Sequence, residues 1–239
     1  MYASLSPSFA PVANYHFFKR FGMVIAAVAL YLLGGMVIAL QVLQPGQPVQ
    51  ISNQALIGSA GYAGLGLLLL FWLQNRKQGV WRTFKGHTLR RPLLLGVLAS
   101  LLAYALTLAY MKAFDVPEEP FMVTFFDGLD QRQVVLLCLS LILLPPLAEE
   151  LMFRHFLLRL VPWERGLVWQ WVAIVLSTLA FILGHTQYQN YCTLVLLMAG
   201  GIILAMVRIA SGGLLAPMLV HASMEVIALA TDQLYNMLP

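Results

Sequence analysis

The sequence predicts an all-α fold, a polytopic transmembrane helical bundle of about seven spans, with six to eight compatible. Three observations carry this. Apolar residues make up 60% of the chain and charged residues only 10%, against about 25% charged in a typical soluble domain. The apolar residues gather in stretches near the ~20 residues a spanning helix needs. The basic residues gather between those stretches, where they set topology. No soluble core of this length absorbs so much apolar sequence, whereas lipid solvates the outward faces of helices whose backbone bonds are satisfied internally.

Seven apolar segments follow in order: residues 21–43, 55–73, 93–111, 134–160, 167–185, 192–207 and 214–230. The first follows Lys19 and Arg20, exceeds a signal-peptide core in length and lacks a cleavage site, so it is expected to be a retained span. The second carries Gly58, Gly61, Gly64 and Gly66, and the sixth Gly200 and Gly201, small residues that let helices approach closely. The fourth is long and contains Pro145-Pro146, which is expected to break or kink it. The sixth and seventh are expected to be short spans. Residues 1–15 are expected to be a poorly ordered tail, and the 112–132 loop the largest extramembrane element. Two units are expected: residues 1–133 with the tail and three spans, and residues 134–239 as a helical core.

Charge orients the bundle. Arg76, Lys77, Arg82, Lys85, Arg90 and Arg91 fill the loop after the second segment, and Arg154, Arg159, Arg165 and Arg208 fall on the same side. The opposite side holds Asp115, Glu118, Glu119, Asp127 and Asp130 with only Lys112 and Arg132. The positive-inside rule then puts the N-terminus in the cytoplasm, in a plasma (inner) membrane. The net charge of +4 reflects these loops, and nothing interleaves aromatic and basic residues as a nucleic-acid surface does. Cys138 and Cys192 show no ligand spacing and read as small packing residues. The partners expected are the lipid bilayer and a membrane-associated protein or peptide; the sequence leaves the oligomeric state open.

Of the acidic residues, Glu149, Glu150 and Glu225 sit inside apolar segments. A carboxylate there costs at least about 2.5 kcal/mol on insertion scales, so it needs partners or a function. Arg154 lies one helical turn after Glu150 and can pair with it. His221 and Glu225 share a helix face at the same spacing, and His185 closes the fifth segment. Buried carboxylates and imidazoles on separate helices suit two hydrolytic chemistries. In one, a glutamate activates water with histidine assistance. In the other, His185, His221 and Glu225 ligate Zn²⁺ and a remaining glutamate is the base. Spacing alone does not separate them.

Glu149-Glu150-Leu151-Met152-Phe153-Arg154 matches the EExxxR signature of the CPBP family, the CAAX-protease and bacteriocin-processing family of intramembrane peptidases. Phe181-Ile182-Leu183-Gly184-His185 matches its FxxxH motif. His221-Ala222-Ser223-Met224-Glu225 resembles the third motif, in which Asn or Asp usually stands where this chain has Glu225. The resemblance covers roughly residues 134–230. It implies an intramembrane endopeptidase acting near the cytoplasmic leaflet. Glu149 would polarise the attacking water, His185 would position it, and Glu150 and Arg154 would shape the pocket. His221 and Glu225 would support the oxyanion or ligate metal. Prenylated CAAX tails, bacteriocin leaders and membrane-protein segments are the compatible substrates. Glu225 leaves a second class open, a catalytically altered scaffold or immunity protein of the same fold. Buried Glu and His also suit an ion or proton transporter, although no inverted-repeat pattern of broken helices supports one.

Overall fold

The computed structural model describes residues 16–42, 53–77 and 79–237, and these form helices and turns with no strand among them. The expected tail, residues 1–15, lies outside the described residues. Six stretches are long and apolar enough to cross a membrane: Phe17–Ile38, Ile57–Asn75, Arg90–Ala113, Gln131–Leu160, Tyr191–Ser211 and Leu215–Met237. The helix Leu167–Leu183 is equally apolar but shorter, at 17 residues. The chain is thus a polytopic helical membrane protein.

In chain order the helices are α1 (Phe17–Val42), α2 (Asn53–Asn75), the short α3 (Val80–Lys85), α4 (Arg90–Ala113), the single-turn α5 (Pro120–Val123), α6 (Gln131–Glu149), α7 (Leu167–Leu183), α8 (Tyr191–Ser211) and α9 (Leu215–Met237). The two segments expected to be short are in fact long. Helices α8 and α9 have 21 and 23 residues, because each continues through polar positions, Arg208 in one and Asp232 in the other, that an apolar count stops at. The expected break at Pro145-Pro146 is also displaced. Helix α6 runs through both prolines although neither can bond back to the carbonyls of Leu141 and Ile142. The deformation follows them, as a π-helical stretch from Glu150 to Leu157 and a 3₁₀ turn from Leu158 to Leu160.

Local chemistry sets the helix ends. Asp130 and Gln133 form a capping box at the start of α6, with both reciprocal bonds at 2.9 Å. Asn190 caps α8 through its side chain, which accepts from the Cys192 N–H at 2.9 Å. Gly212 ends α8 at φ 70°, a left-handed conformation glycine adopts without penalty.

Helix α1 packs on α2, α2 on α6, α4 on both α8 and α9, and α7 on α8. At Gly34 a side-chain carbon would lie 2.7 Å from the Ala63 nitrogen and 2.9 Å from the Ser59 oxygen. Helices α1 and α2 therefore touch backbone to backbone, the close contact that small residues permit in a bundle. Outward faces carry exposed Leu32, Leu65, Leu94, Leu102, Leu143 and Val168, which lipid solvates. The core nearest the π-helical stretch joins Leu67, Phe71, Leu151, Phe153, Phe156, Phe181 and Leu214.

Candidate active site

Adjacent residues of an α-helix point about 100° apart, so two neighbouring glutamates ordinarily face different surroundings. Here Glu149 ends α6 and Glu150 begins the wider π-helical turn, which narrows the angle between neighbours. Single π turns are rare and concentrate at functional sites. Both glutamates are buried, at 8% and 0% exposure.

Glu150 is the anchored member. Its Oε1 lies 3.4 Å from Nη1 of Arg154, one turn on, with both side chains wholly buried. The same oxygen accepts a hydrogen bond from His221 Nδ1 at 2.8 Å. The Arg154 guanidinium lies 4.5 Å over the Phe181 ring and donates from Nη2 to the Gly201 carbonyl at 3.4 Å. Gly201 is required there: a side-chain carbon would meet Thr178 Cγ2 at 2.8 Å, so anything larger drives α7 and α8 apart.

Glu149 is the unanchored member. Its Oε2 is buried and accepts no hydrogen bond. It lies 3.8 Å from His185 Nε2 and 3.7 Å from His221 Nε2, longer than hydrogen-bond contact. The orientation of both rings follows from their other nitrogens. His185 Nδ1 faces the Phe181 carbonyl at 2.7 Å, and His221 Nδ1 faces the Glu150 carboxylate. Both partners only accept, so each Nδ1 carries a proton, and each Nε2 is turned towards Glu149. Glu225 reaches the same place, with Oε1 3.5 Å from His221 Nε2.

A straight-helix reading sets His185 beyond the reach of Glu149, at the far end of its segment. The structure brings it back by the side chain. Helix α7 ends at Leu183 with Gly184 as its cap, and the imidazole folds over the preceding turn onto Phe181, with ring centroids 4.4 Å apart. That recovers about one turn, roughly 5 Å. All six residues singled out from sequence, Glu149, Glu150, Arg154, His185, His221 and Glu225, are thereby brought into one cluster. Among the described residues no group of three or more His, Cys, Asp or Glu is arranged to hold a metal ion, and this includes the expected set His185, His221 and Glu225.

The cluster lies at the inner end of a cavity of about 300 Å³. Its walls come from every long helix: Tyr31 of α1, Ile57 of α2, Tyr104 of α4 and Leu141 of α6 among them. From the cluster it extends towards the acidic 112–132 segment, past Asp232 of α9, about three turns or 16 Å beyond His221. Residues 116–119 cap that end. Buried Glu119 accepts from the backbone N–H groups of Gln189 at 3.1 Å and Asn190 at 3.0 Å, and Tyr235 donates to the Val116 carbonyl at 2.9 Å. Nearby, burial and Asp232 push the Glu118 carboxyl above its ordinary range. Sequence reasoning missed Tyr31, Tyr104, Glu119 and Tyr188 as wall or clamp residues. Only Tyr188, one turn after His185, stood close enough to a motif to be noticed.

Residues 131–227 match the family model described as type II CAAX prenyl endopeptidase Rce1-like. A curated Escherichia coli protein described as an uncharacterized 24.3 kDa protein is 37% identical over 131 residues, covering 54% of this chain and 58% of that protein. The chain thus aligns with somewhat over half the length of that relative. No solved structure matches. The three motifs that resemble those of the CPBP intramembrane proteases all fall inside the matched residues 131–227, and the fold brings them together in one buried cluster.

Proposed function

We propose that the protein is an intramembrane endopeptidase that hydrolyses a peptide bond in a membrane-associated protein or peptide, with Glu149 as general base. The observation that carries this is the Glu149 oxygen, buried and accepting no hydrogen bond, with Nε2 of His185 and of His221 3.8 and 3.7 Å away in the lining of a cavity. A water there donates one hydrogen to Glu149 and the other to His185 Nε2, which aims its lone pair at the scissile carbonyl carbon. As the oxygen–carbon bond forms, the water proton passes to Glu149 and the carbonyl electron pair moves onto oxygen. Collapse restores the carbonyl and breaks the carbon–nitrogen bond, and Glu149 returns its proton to the leaving amine. Glu150 holds His221 in the required tautomer, and Arg154 balances the charge of Glu150. On this reading residues 134–239 supply the chemistry, and the helices before them supply walls that select the substrate.

The test is cleavage by purified, reconstituted protein of three membrane-anchored peptides: a farnesylated CAAX tail, a bacteriocin-type leader and a single-span segment. Wild type is expected to cleave at least one, with Glu149→Gln lowering the rate about 10²- to 10⁴-fold and a strong zinc chelator leaving wild type unchanged. Loss with chelator points instead to a metal-assisted reaction. No cleavage by well-folded wild type overturns the reading in favour of a scaffold or a proton pathway.

A further inference from the structure

The cluster is rich in acceptors and poor in donors. The Nδ1 protons of His185 and His221 are committed to Phe181 and Glu150. Glu149, once it holds the water proton, commits it to the leaving amine, and Glu225 as a carboxylate only accepts. Arg154 is wholly buried and ion-paired with Glu150. Hydrolysis nevertheless passes through a tetrahedral intermediate whose oxyanion needs a donor, and removing one such donor ordinarily costs about 10²- to 10³-fold in kcat.

The cavity hydroxyls narrow the choice. Ser100 donates to the Gly96 carbonyl at 2.7 Å, and Thr231 to the Ile227 carbonyl at 2.7 Å. Ser59, Thr107 and Thr193 also line the cavity, and three tyrosines lie in the field of the site's carboxylates. All three line the same cavity as the carboxylates: Tyr31 lies in the electrostatic field of Glu149 and Tyr104 in that of Glu225, whereas Tyr188 lies in the field of both.

Tyr188 is also held most firmly. Its ring lies parallel to that of His185, with centroids 6.0 Å apart and an interplanar angle of 11°, and Phe121 meets its other side edge-on at 5.5 Å. Glu119 fixes the turn that carries it through the next two backbone N–H groups. The Tyr188 side chain lines the cavity directly beside the His185 ring. Burial and the two carboxylates push the Tyr188 phenol above its ordinary range, so it stays protonated.

We propose that the Tyr188 hydroxyl donates the hydrogen bond that stabilises the oxyanion, supplying from the turn after His185 what the Glu225 carboxylate does not. This rests on the endopeptidase reading above. The test uses the full-length protein in liposomes and whichever of the three peptides wild type cleaves fastest. Thermal melting establishes that each variant is folded; Tyr188→Phe keeps both ring contacts. Expected for Tyr188→Phe is a fall in kcat of about 10²-fold with KM unchanged, a larger loss of kcat than Tyr31→Phe or Tyr104→Phe produces. Adding Glu225→Asn puts an amide donor beside the site, and the double variant Tyr188→Phe/Glu225→Asn is expected to regain about 10-fold over Tyr188→Phe. The proposal is overturned if Tyr188→Phe keeps its kcat while Glu149→Gln is silent, which leaves the endopeptidase reading standing. A loss carried by Tyr31 or Tyr104 instead, or a double variant no faster than Tyr188→Phe, also overturns it. A wild type that cleaves none of the peptides overturns both readings together.

Discussion

Arg154 and Glu150 show what a buried charge demands. Both are wholly buried, and desolvating two ions costs several kcal/mol each unless each finds compensation. Glu150 finds it in Arg154 and in the His221 N–H, and Arg154 in Glu150, the Gly201 carbonyl and the Phe181 face. Removing one partner strands the other. Arg154→Ala is therefore expected to destabilise the protein by about 3–5 kcal/mol, measured as denaturant unfolding in detergent; Arg154→Lys recovers only part, since an ammonium does not spread over an aromatic face as a guanidinium does. An unfolding midpoint equal to wild type would mean the pair is incidental. These two residues were legible in the sequence because a charge inside an apolar segment is conspicuous at any position. Tyr188 was not: a tyrosine at the end of a span has an ordinary interfacial explanation, and only the packing of α5 against the turn after α7 distinguishes it.

At the scale of elements, the clamp between the acidic segment and the start of α8 is the connection that sequence periodicity had no means of showing. A carboxylate at a helix N-terminus meets unsatisfied N–H groups and the positive end of the helix dipole, and Glu119 occupies that position for α8. Glu119→Ala leaves the N–H groups of Gln189 and Asn190 without their acceptor, at a cost of about 1–3 kcal/mol. Hydrogen exchange is expected to rise at those two amides and in residues 184–190, with α9 little changed; unaltered protection there would show that the turn holds itself. The π-helical stretch was equally hidden. Its pattern of apolar residues reads as continuous helix, and the prolines that disturb it lie a turn upstream of the distortion. Helix ends in α8 and α9 were misjudged for a related reason, since helices packed against one another carry polar residues that an apolar count excludes.

For the molecule as a whole, opposite ends are marked by opposite charge. The start of α1 meets the basic end, where Arg20 donates to the Arg159 carbonyl at 2.6 Å. The end of α9 meets the acidic one through Tyr235 and Val116. If these ends lie on opposite sides of the bilayer, the number of crossings is odd and the 17-residue α7 crosses too. In a background lacking Cys138 and Cys192, single cysteines at Phe18 and Asn236 are expected to react with an impermeant thiol reagent from opposite faces of oriented vesicles, Phe18 from the cytoplasmic face. Labelling from one face would show that α7 does not cross.

Tyr31, Ile57 and Tyr104 are cavity walls contributed by helices that precede the family-matching segment. The cavity wall is thus shared between these helices and the matched segment, which adds Leu141, Leu196 and Met224. On the endopeptidase reading, a library confined to wall positions between residues 31 and 111 retunes which peptides enter while leaving Glu149, His185 and His221 untouched, so new selectivity is reachable without rebuilding the reaction.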